Sequence, residues 1–488
     1  MRNDNDGGGN DPRAQHEPTA TATRDRSAPP PGQGAEERPE DCRHTTGQYL
    51  IGGLQHLLTM YAGLITPPLI IGTAAGLDGA RTATLIAATT LLAGVATLLQ
   101  TLGVRWLRLG SQLPIVVGAT FVPVGAMESI AAGGGLPAVF GASLAAGLFG
   151  LAISPFFGSL ARFFPPIVTG TIVTVIGLSL FPVALGWIVG DAPGGVPASG
   201  DLLLGLGTLA LVLLLNRIPG VIGRFSILIG LVTGTAVAAL TGRADFSEVA
   251  PGPLFALPEP FHFGLPTFQP AAILTMCIVM LVVLTEGTAN IMGVGAVVGA
   301  RVDRRRISEG LRASALATTI APLVNTFPVS SFAQNIGLVA MTRVRSRYVV
   351  AWAGGLLVLL GLFPVLGRLV AAVPMPVLGG AGLVLFGTVA ASGIKTIAED
   401  DLTDQLNLVL VGASLGAGLI PLLFPHFYAG LPGWAATVLH SGIVGASLVA
   451  IVLNILFNAG RRGRSADAGG HDHDADRPPA GPHPEPGA

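Results

Sequence analysis

The stretch Asn325-Thr326-Phe327-Pro328-Val329-Ser330-Ser331-Phe332-Ala333-Gln334-Asn335-Ile336-Gly337, followed by Thr342-Arg343, gathers amides and hydroxyls inside a chain that otherwise reads as membrane. Hydrocarbon offers no hydrogen-bond partners, so polar groups at this depth must be satisfied by protein or by a water-filled cavity. Proline removes an amide donor and excludes regular helix, while Gly and Ser permit extended backbone. The stretch therefore predicts a break in a membrane-spanning helix.

A second break stands earlier, where Gly110-Ser111-Gln112-Leu113-Pro114 leads into Gly118-Ala119-Thr120-Phe121-Val122-Pro123. Other landmarks recur at a near-constant separation. Pro166 and Pro376, Gly170 and Gly380, and Gly177 and Gly387 lie 210 residues apart, and Phe121 and Phe332 lie 211 apart. A constant offset suggests a duplicated half of about seven crossings. An odd number per half forces the halves to be inverted, and paired interrupted helices in inverted repeats place a ligand near the midplane at the breaks. Helix N-termini beside the breaks would favour an anion or a polar ring. Two kinked packing helices are the plainer alternative.

Composition supplies the setting. Of 488 residues, 50% are hydrophobic and 11% charged, with a mean hydropathy of +0.66, too few charges to cover a soluble globule of this size. Apolar runs of about 17 to 25 residues, enough to cross roughly 30 Å of hydrocarbon, recur from Gln48 to Phe457. The expected fold is an all-α polytopic membrane protein of about fourteen crossings, with short extended breaks in helices 3 and 10. Residues 1–47 and 458–488 lack an apolar core and read as disordered tails. The tract His471-Asp472-His473-Asp474 reads as solvated rather than as a metal site. With both tails cytoplasmic, the loops on that side carry seventeen of the Arg and Lys residues of positions 48–464 and the opposite loops only Arg81, Arg243 and Arg368. This bias supports an even number of crossings of the plasma membrane with both ends in the cytoplasm. Cys42 and Cys277 offer neither a disulfide framework nor a metal cluster. A net charge of −1 without an aromatic-laced basic patch argues against nucleic-acid binding, and no nucleophile–base set suggests an enzyme.

Few ionisable residues fall within the spans. Glu286, in Leu284-Thr285-Glu286-Gly287-Thr288-Ala289-Asn290, follows some fifteen apolar residues, where a centred charge costs about 2.5 to 3.5 kcal/mol on insertion scales. Burial favours the neutral form of a carboxyl, so this one could take a proton or hold a ligand N–H; a structural Glu bonded to backbone amides is the alternative. His56, in the first span, could relay a proton or tie two helices together. Glu128 reads as a solvated rim residue. Gln334 carries a donor and an acceptor on one planar amide, matching the N–H and C=O edge of a purine or pyrimidine dione. Asn335 would point elsewhere and could pin the two breaks together.

The run Gln334-Asn335-Ile336-Gly337-Leu338-Val339-Ala340-Met341-Thr342-Arg343 resembles, in full, the signature of the nucleobase–ascorbate transporter family of xanthine/uracil permeases. Gln55-His56, Met60-Tyr61-Ala62-Gly63, Phe164-Pro165-Pro166 and Pro374-Met375-Pro376-Val377 are similar to that family too, so the likeness spans roughly residues 48 to 457. It implies a fourteen-helix fold with a core domain (about 48–157 and 268–372) and a gate domain (about 158–267 and 373–457), usually a homodimer. It further implies symport of a nucleobase with H+ or Na+ and no other cofactor. The ligand would lie between the breaks, held by Glu286 and Gln334, with backbone near Phe121 and Ala333 and support from Thr120, His56 and Asn335. Gln rather than Glu at position 334 leans toward oxidised purines such as xanthine or uric acid over uracil. An inorganic-anion carrier of the same architecture is the rival reading. Many purine members carry Asp where this chain has Asn290; an amide cannot titrate, so proton coupling would rest on Glu286, His56 or another ion.

Overall fold

The computed structural model describes residues 38–157, 164–190, 195–247, 249, 253–332, 335–336, 338–339, 344–432, 435, 439 and 441–458. Thr45 opens the first helix, α1 (Thr46–Ala74). Its hydroxyl accepts from the Gln48 amide while the Gln48 side chain takes the Thr45 N–H, satisfying groups the helix itself leaves free. There follow α2 (Gly79–Leu102), strand β1 (Val117–Ala119), α3 (Val124–Ile153), α4 (Pro166–Ser179), α5 (Phe181–Val189), α6 (Ser199–Asn216), α7 (Val221–Arg224) and α8 (Ser226–Leu240). The second half contains α9 (Pro270–Val298), α10 (Arg304–Ile320), strand β2 (Val329–Ser331), α11 (Arg347–Gly361), α12 (Pro364–Ala371), α13 (Met375–Ile397), α14 (Gln405–Leu423) and α15 (Gly442–Asn458).

The two halves are inverted repeats, and they meet in an antiparallel strand pair. Val117 lies opposite Ser331, Gly118 opposite Ser330 and Ala119 opposite Val329. Two further bonds extend the ladder, Thr120 N–H to Pro328 O at 3.1 Å and Phe332 N–H to Val116 O at 3.0 Å. These bonds are two-fold images of each other, relating 116 to 328 and 120 to 332, a separation of 212. The 211-residue match of Phe121 to Phe332 is therefore one residue out, and Thr120 is the counterpart of Phe332. Such a slip matters because neighbouring strand residues face opposite sides.

The expected count of about fourteen crossings meets a shorter set of full-length helical spans. Among the described residues eight helices are long and apolar enough to cross a bilayer, or nine if α11 and α12, bent by 81°, count as one. The difference has structural causes. The breaks replace helix with strand, the third and fourth crossings run together as α3 with a kink at Gly135 (φ 66°), and α8 and α15 are short. Within the segment expected as an N-terminal tail, Pro39–Asp41 forms a helical turn held by side chains of the second half. Residues 1–37 and 459–488 lie outside the described residues.

Helices gather into two bundles, α1, α2, α3, α9, α10 and α11 in one, and α4, α5, α6, α13, α14 and α15 in the other. Within each, a helix of one repeat meets a helix of the other along a glycine seam, Gly94 against Gly354 between α2 and α11, and Gly170 against Gly393 between α4 and α13. Small residues let backbones approach where lipid supplies no hydrophobic drive between helices. A β carbon at Gly170 would sit 2.6 Å from the Ile397 nitrogen and 2.7 Å from the Gly393 oxygen. Gly170→Leu should therefore cost about 1–3 kcal/mol or more through overpacking, lowering the melting temperature of the detergent-solubilised protein. Gly186→Ala, where an added β carbon meets no neighbouring element within 4 Å, should not lower it.

Candidate functional site

Three-residue strands leave edge groups that a pair alone cannot satisfy, and side chains of neighbouring helices take them. Thr97 on α2 accepts from Val117 N–H at 3.0 Å and donates to Val117 O at 3.1 Å. Thr318 on α10 accepts from Val329 N–H at 3.2 Å, with its hydroxyl 3.5 Å from Val329 O. Val117 and Val329 are related by the same 212-residue separation, so each repeat cradles its break with a threonine. Neither threonine stands out in the sequence, because a hydroxyl in an apolar helix more often bonds to its own preceding turn.

Residues four apart lie on one face of a helix, and on α9 this places Glu286 and Asn290 together toward the breaks. Asn290 donates its Nδ2 proton to Ser331 O at 2.7 Å, tying α9 to β2. Thr120 of the first break and Glu286 of α9 line the same cavity, which brings α9 to the first break. Asn335, fully buried, donates from Nδ2 to Pro114 O at 2.6 Å, and its Oδ1 lies 2.8 Å from His56 Nδ1. A carbonyl only accepts, so the Asn335 amide nitrogen must face Pro114, and His56 donates from Nδ1 to the remaining oxygen. When His56 is neutral its Nε2 then carries no proton. Asn335 thus spans both breaks and α1.

A cavity of about 200 Å³ lies at the breaks. Thr120, Phe121, Val122, Ser330, Ser331 and Phe332 line it from the breaks, Glu286 from α9, Val173 and Ile176 from α4, and Thr388, Val389 and Ser392 from α13. Both bundles therefore contribute, and no cationic side chain is among the described lining residues. Two polar atoms of the lining are buried without a hydrogen-bond partner, Glu286 Oε2 and Ser331 Oγ. A β carbon at Gly118 would run into the Phe332 ring, so only glycine lets that ring lie across β1 at the cavity wall. The Phe121 ring meets Phe386 of α13 edge-on, 6.1 Å between centroids.

Of the residues singled out in the sequence, Glu286, Phe121 and Thr120 line the cavity, while Asn290, Asn335 and His56 hold the breaks around it. Gln334 and Ala333 lie outside the described residues. Glu128 is absent from the lining. Thr388 and Ser392 escaped sequence reasoning; their spacing of four on one face of α13 was the available signal, diluted by the other small residues of that helix. Ser331 lines the cavity and also holds Asn290 through its carbonyl. Thr97→Val and Thr318→Val should each strand a buried amide and cost about 1–3 kcal/mol, read as a fall in melting temperature that Thr97→Ser and Thr318→Ser do not reproduce.

Comparison with known proteins places this geometry. The xanthine/uracil permease model, described as a permease family, matches residues 47–427. The uric acid permease PucK of Bacillus subtilis is 41% identical over 427 residues, covering 87% of this chain and 99% of its own. The uric acid transporter UacT of Escherichia coli is 38% identical, covering 88% and 90%, and the xanthine permease of Bacillus subtilis 39% identical, covering 85% and 95%. Among solved structures, the transmembrane domain of the cyanobacterial bicarbonate transporter BicA superposes with a TM-score of 0.56 at 16% identity, covering 85% of this chain and 99% of that one. The murine anion transporter Slc26a9 in its inward-facing state gives 0.61 at 12% identity, covering 86% and 69%. At such identities these structures speak to the fold alone, which is the inverted-repeat transporter fold. The family, by contrast, is established by sequence over most of the chain: this multi-pass membrane protein belongs to the nucleobase–ascorbate transporter family of xanthine/uracil permeases, and is a transporter rather than an enzyme.

Proposed function

We propose that the chain is a symporter that takes up an oxidised purine, xanthine or uric acid, across the plasma membrane. The observation that carries this reading is the pair of buried, unpartnered polar atoms, Glu286 Oε2 and Ser331 Oγ, on residues that line a largely apolar cavity between the breaks. A buried carboxylate oxygen without a partner is costly unless a ligand donor or a proton meets it. Oxidised purines present ring N–H groups beside carbonyl oxygens, so Glu286 accepts from the ring while Ser331 and the Gln334 amide bind its carbonyl edge. Relatives named for uric acid and xanthine, at about 40% identity, support the same class. Glu286 also speaks against an inorganic anion, since a carboxylate with no cation among the described lining residues repels one.

Movement of the bundle carrying the breaks against the bundle carrying α4 and α13 would expose the cavity alternately to either side. In this reading the first bundle is the core and the second the gate, the molecule works as a homodimer, and both termini are cytoplasmic. Asn290 is engaged with Ser331 O and cannot titrate, so H+ coupling rests on Glu286 or His56, with Na+ as the other candidate.

Uptake of labelled uric acid, xanthine, uracil and sulfate into proteoliposomes, with and without a protonophore, tests the reading. Purine uptake that falls with the protonophore is expected; sulfate uptake without any purine uptake overturns it, and uracil uptake alone shifts it to the pyrimidine class. Glu286→Gln should abolish purine uptake, losing a charge-assisted bond of about 1.5–3 kcal/mol together with a protonatable group. Gln334→Glu should shift preference among the bases, and unchanged kinetics in both variants would remove these residues from the pocket.

A further inference from the structure

Residues 38–45 precede the segment matched by the family model, yet they are built into the bundle of α2, α10 and α11. The turn Pro39–Asp41 presents two adjacent acids. Glu40, only 2% exposed, lies 2.6 Å from Arg306 Nη2, and Asp41 lies 2.6 Å from Arg347 Nε. Both arginines also donate to main-chain carbonyls, and Arg347 Nη2 donates to the Tyr348 hydroxyl. Arg306 donates to Ser111 O at 2.6 Å and Gln112 O at 2.9 Å; Arg347 donates to Thr101 O at 3.1 Å and Leu102 O at 3.2 Å. Ser346 adds a bond to Cys42 O at 2.6 Å.

Those carbonyls bracket a single loop. Thr101 and Leu102 end α2, where helix geometry leaves carbonyls without intrahelical donors, and Ser111 and Gln112 begin the first break. Gln112 sits in the left-handed region (φ 55°), and its N–H donates to Gln100 O at 2.9 Å. A non-glycine residue stays in that region only where its surroundings over-determine it, and Arg306 supplies part of that constraint. Eight residues further on stands Thr120, which lines the cavity. An arginine as buried as Arg306, at 15% side-chain exposure, holds its place only with its charge partner.

We propose that Glu40 and Asp41 are positioning residues for transport: this acidic strap fixes Arg306 and Arg347 on the carbonyls that launch the first break, and so sets the register of Thr120 and Phe121 toward the ligand. The inference rests on the cavity at the breaks being the substrate site. The test uses the full chain carrying E40Q and D41N together, with the two single variants standing in if the double variant does not fold. Hydrogen exchange of residues 111–121 is followed in detergent without substrate, and labelled uric acid uptake is measured per folded carrier in proteoliposomes. The expected result is exchange at least about fivefold faster at 111–121, and a KM raised about fivefold with Vmax unchanged, equivalent to about 1 kcal/mol of lost positioning. R306K should behave alike, because three protons on one nitrogen cannot reach the acceptors that Arg306 meets from three separate nitrogens, Ser111 O, Arg301 O, Gln112 O and Glu40. Unchanged exchange overturns the proposal, as does faster exchange with an unchanged KM, which would leave the strap a stabilising element only. If the wild-type chain carries no purine, the substrate reading fails separately, and the proposal fails with it if exchange is also unchanged.

Discussion

A backbone that leaves the helix inside a membrane must find partners for every N–H and C=O it exposes, and this requirement organises the rest of the molecule. The two breaks meet it first by pairing with each other, β1 against β2. Their outer edges are then taken by Thr97 and Thr318, one from each repeat. Asn290 holds Ser331, Asn335 joins the first break to the second, and Arg306 holds the carbonyls where the first break begins. Loss of the pairing would leave a row of unsatisfied groups at once, so the helices that carry these side chains have little freedom in where they stand.

Symmetry accounts for the scaffold and its failure accounts for the chemistry. The two-fold relation maps Gly118 on Ser330 and Thr120 on Phe332, so equivalent backbone positions carry unlike side chains. Thr120 brings a hydroxyl to the cavity that Glu286 also lines, whereas Phe332 brings an aromatic ring that lies across Gly118. A cavity between identical breaks would offer the same polarity from both sides. This one sets Glu286 and several hydroxyls among aromatic and aliphatic side chains, with unlike groups contributed by the two breaks.

Packing differs in kind within and between the bundles. Inside each, glycine seams bring backbones together so closely that a single β carbon would collide with main-chain atoms. Across the cavity the contact is of ring edges, Phe121 with Phe386, and Phe386 in turn with Trp187. Interlocked backbones resist sliding, while ring-edge contacts of this sort are individually weak, about 0.5–1.5 kcal/mol beyond their area. The weaker surface is the one a moving carrier would remake.

Much of this was legible from residue order. Proline, serine and glycine in an apolar run announced both breaks, their recurrence announced the inverted duplication, and a carboxylate in hydrocarbon singled out Glu286. These are properties of local composition and spacing, which the physics of the bilayer makes readable one segment at a time. The register of the duplication, off by one residue at Phe121, was not, since it depends on which hydrogen bonds the strands exchange. Nor were Thr97, Thr318, Ser392 or the strap at Glu40, each an ordinary residue in its own segment. What the chain determined by itself was where helix must fail and where a charge must have a purpose. Only the tertiary structure decided which distant groups repair those failures, because a hydrogen bond between residues 195 or 266 positions apart, as at Arg306 with Ser111 and with Glu40, leaves no periodic trace in the sequence.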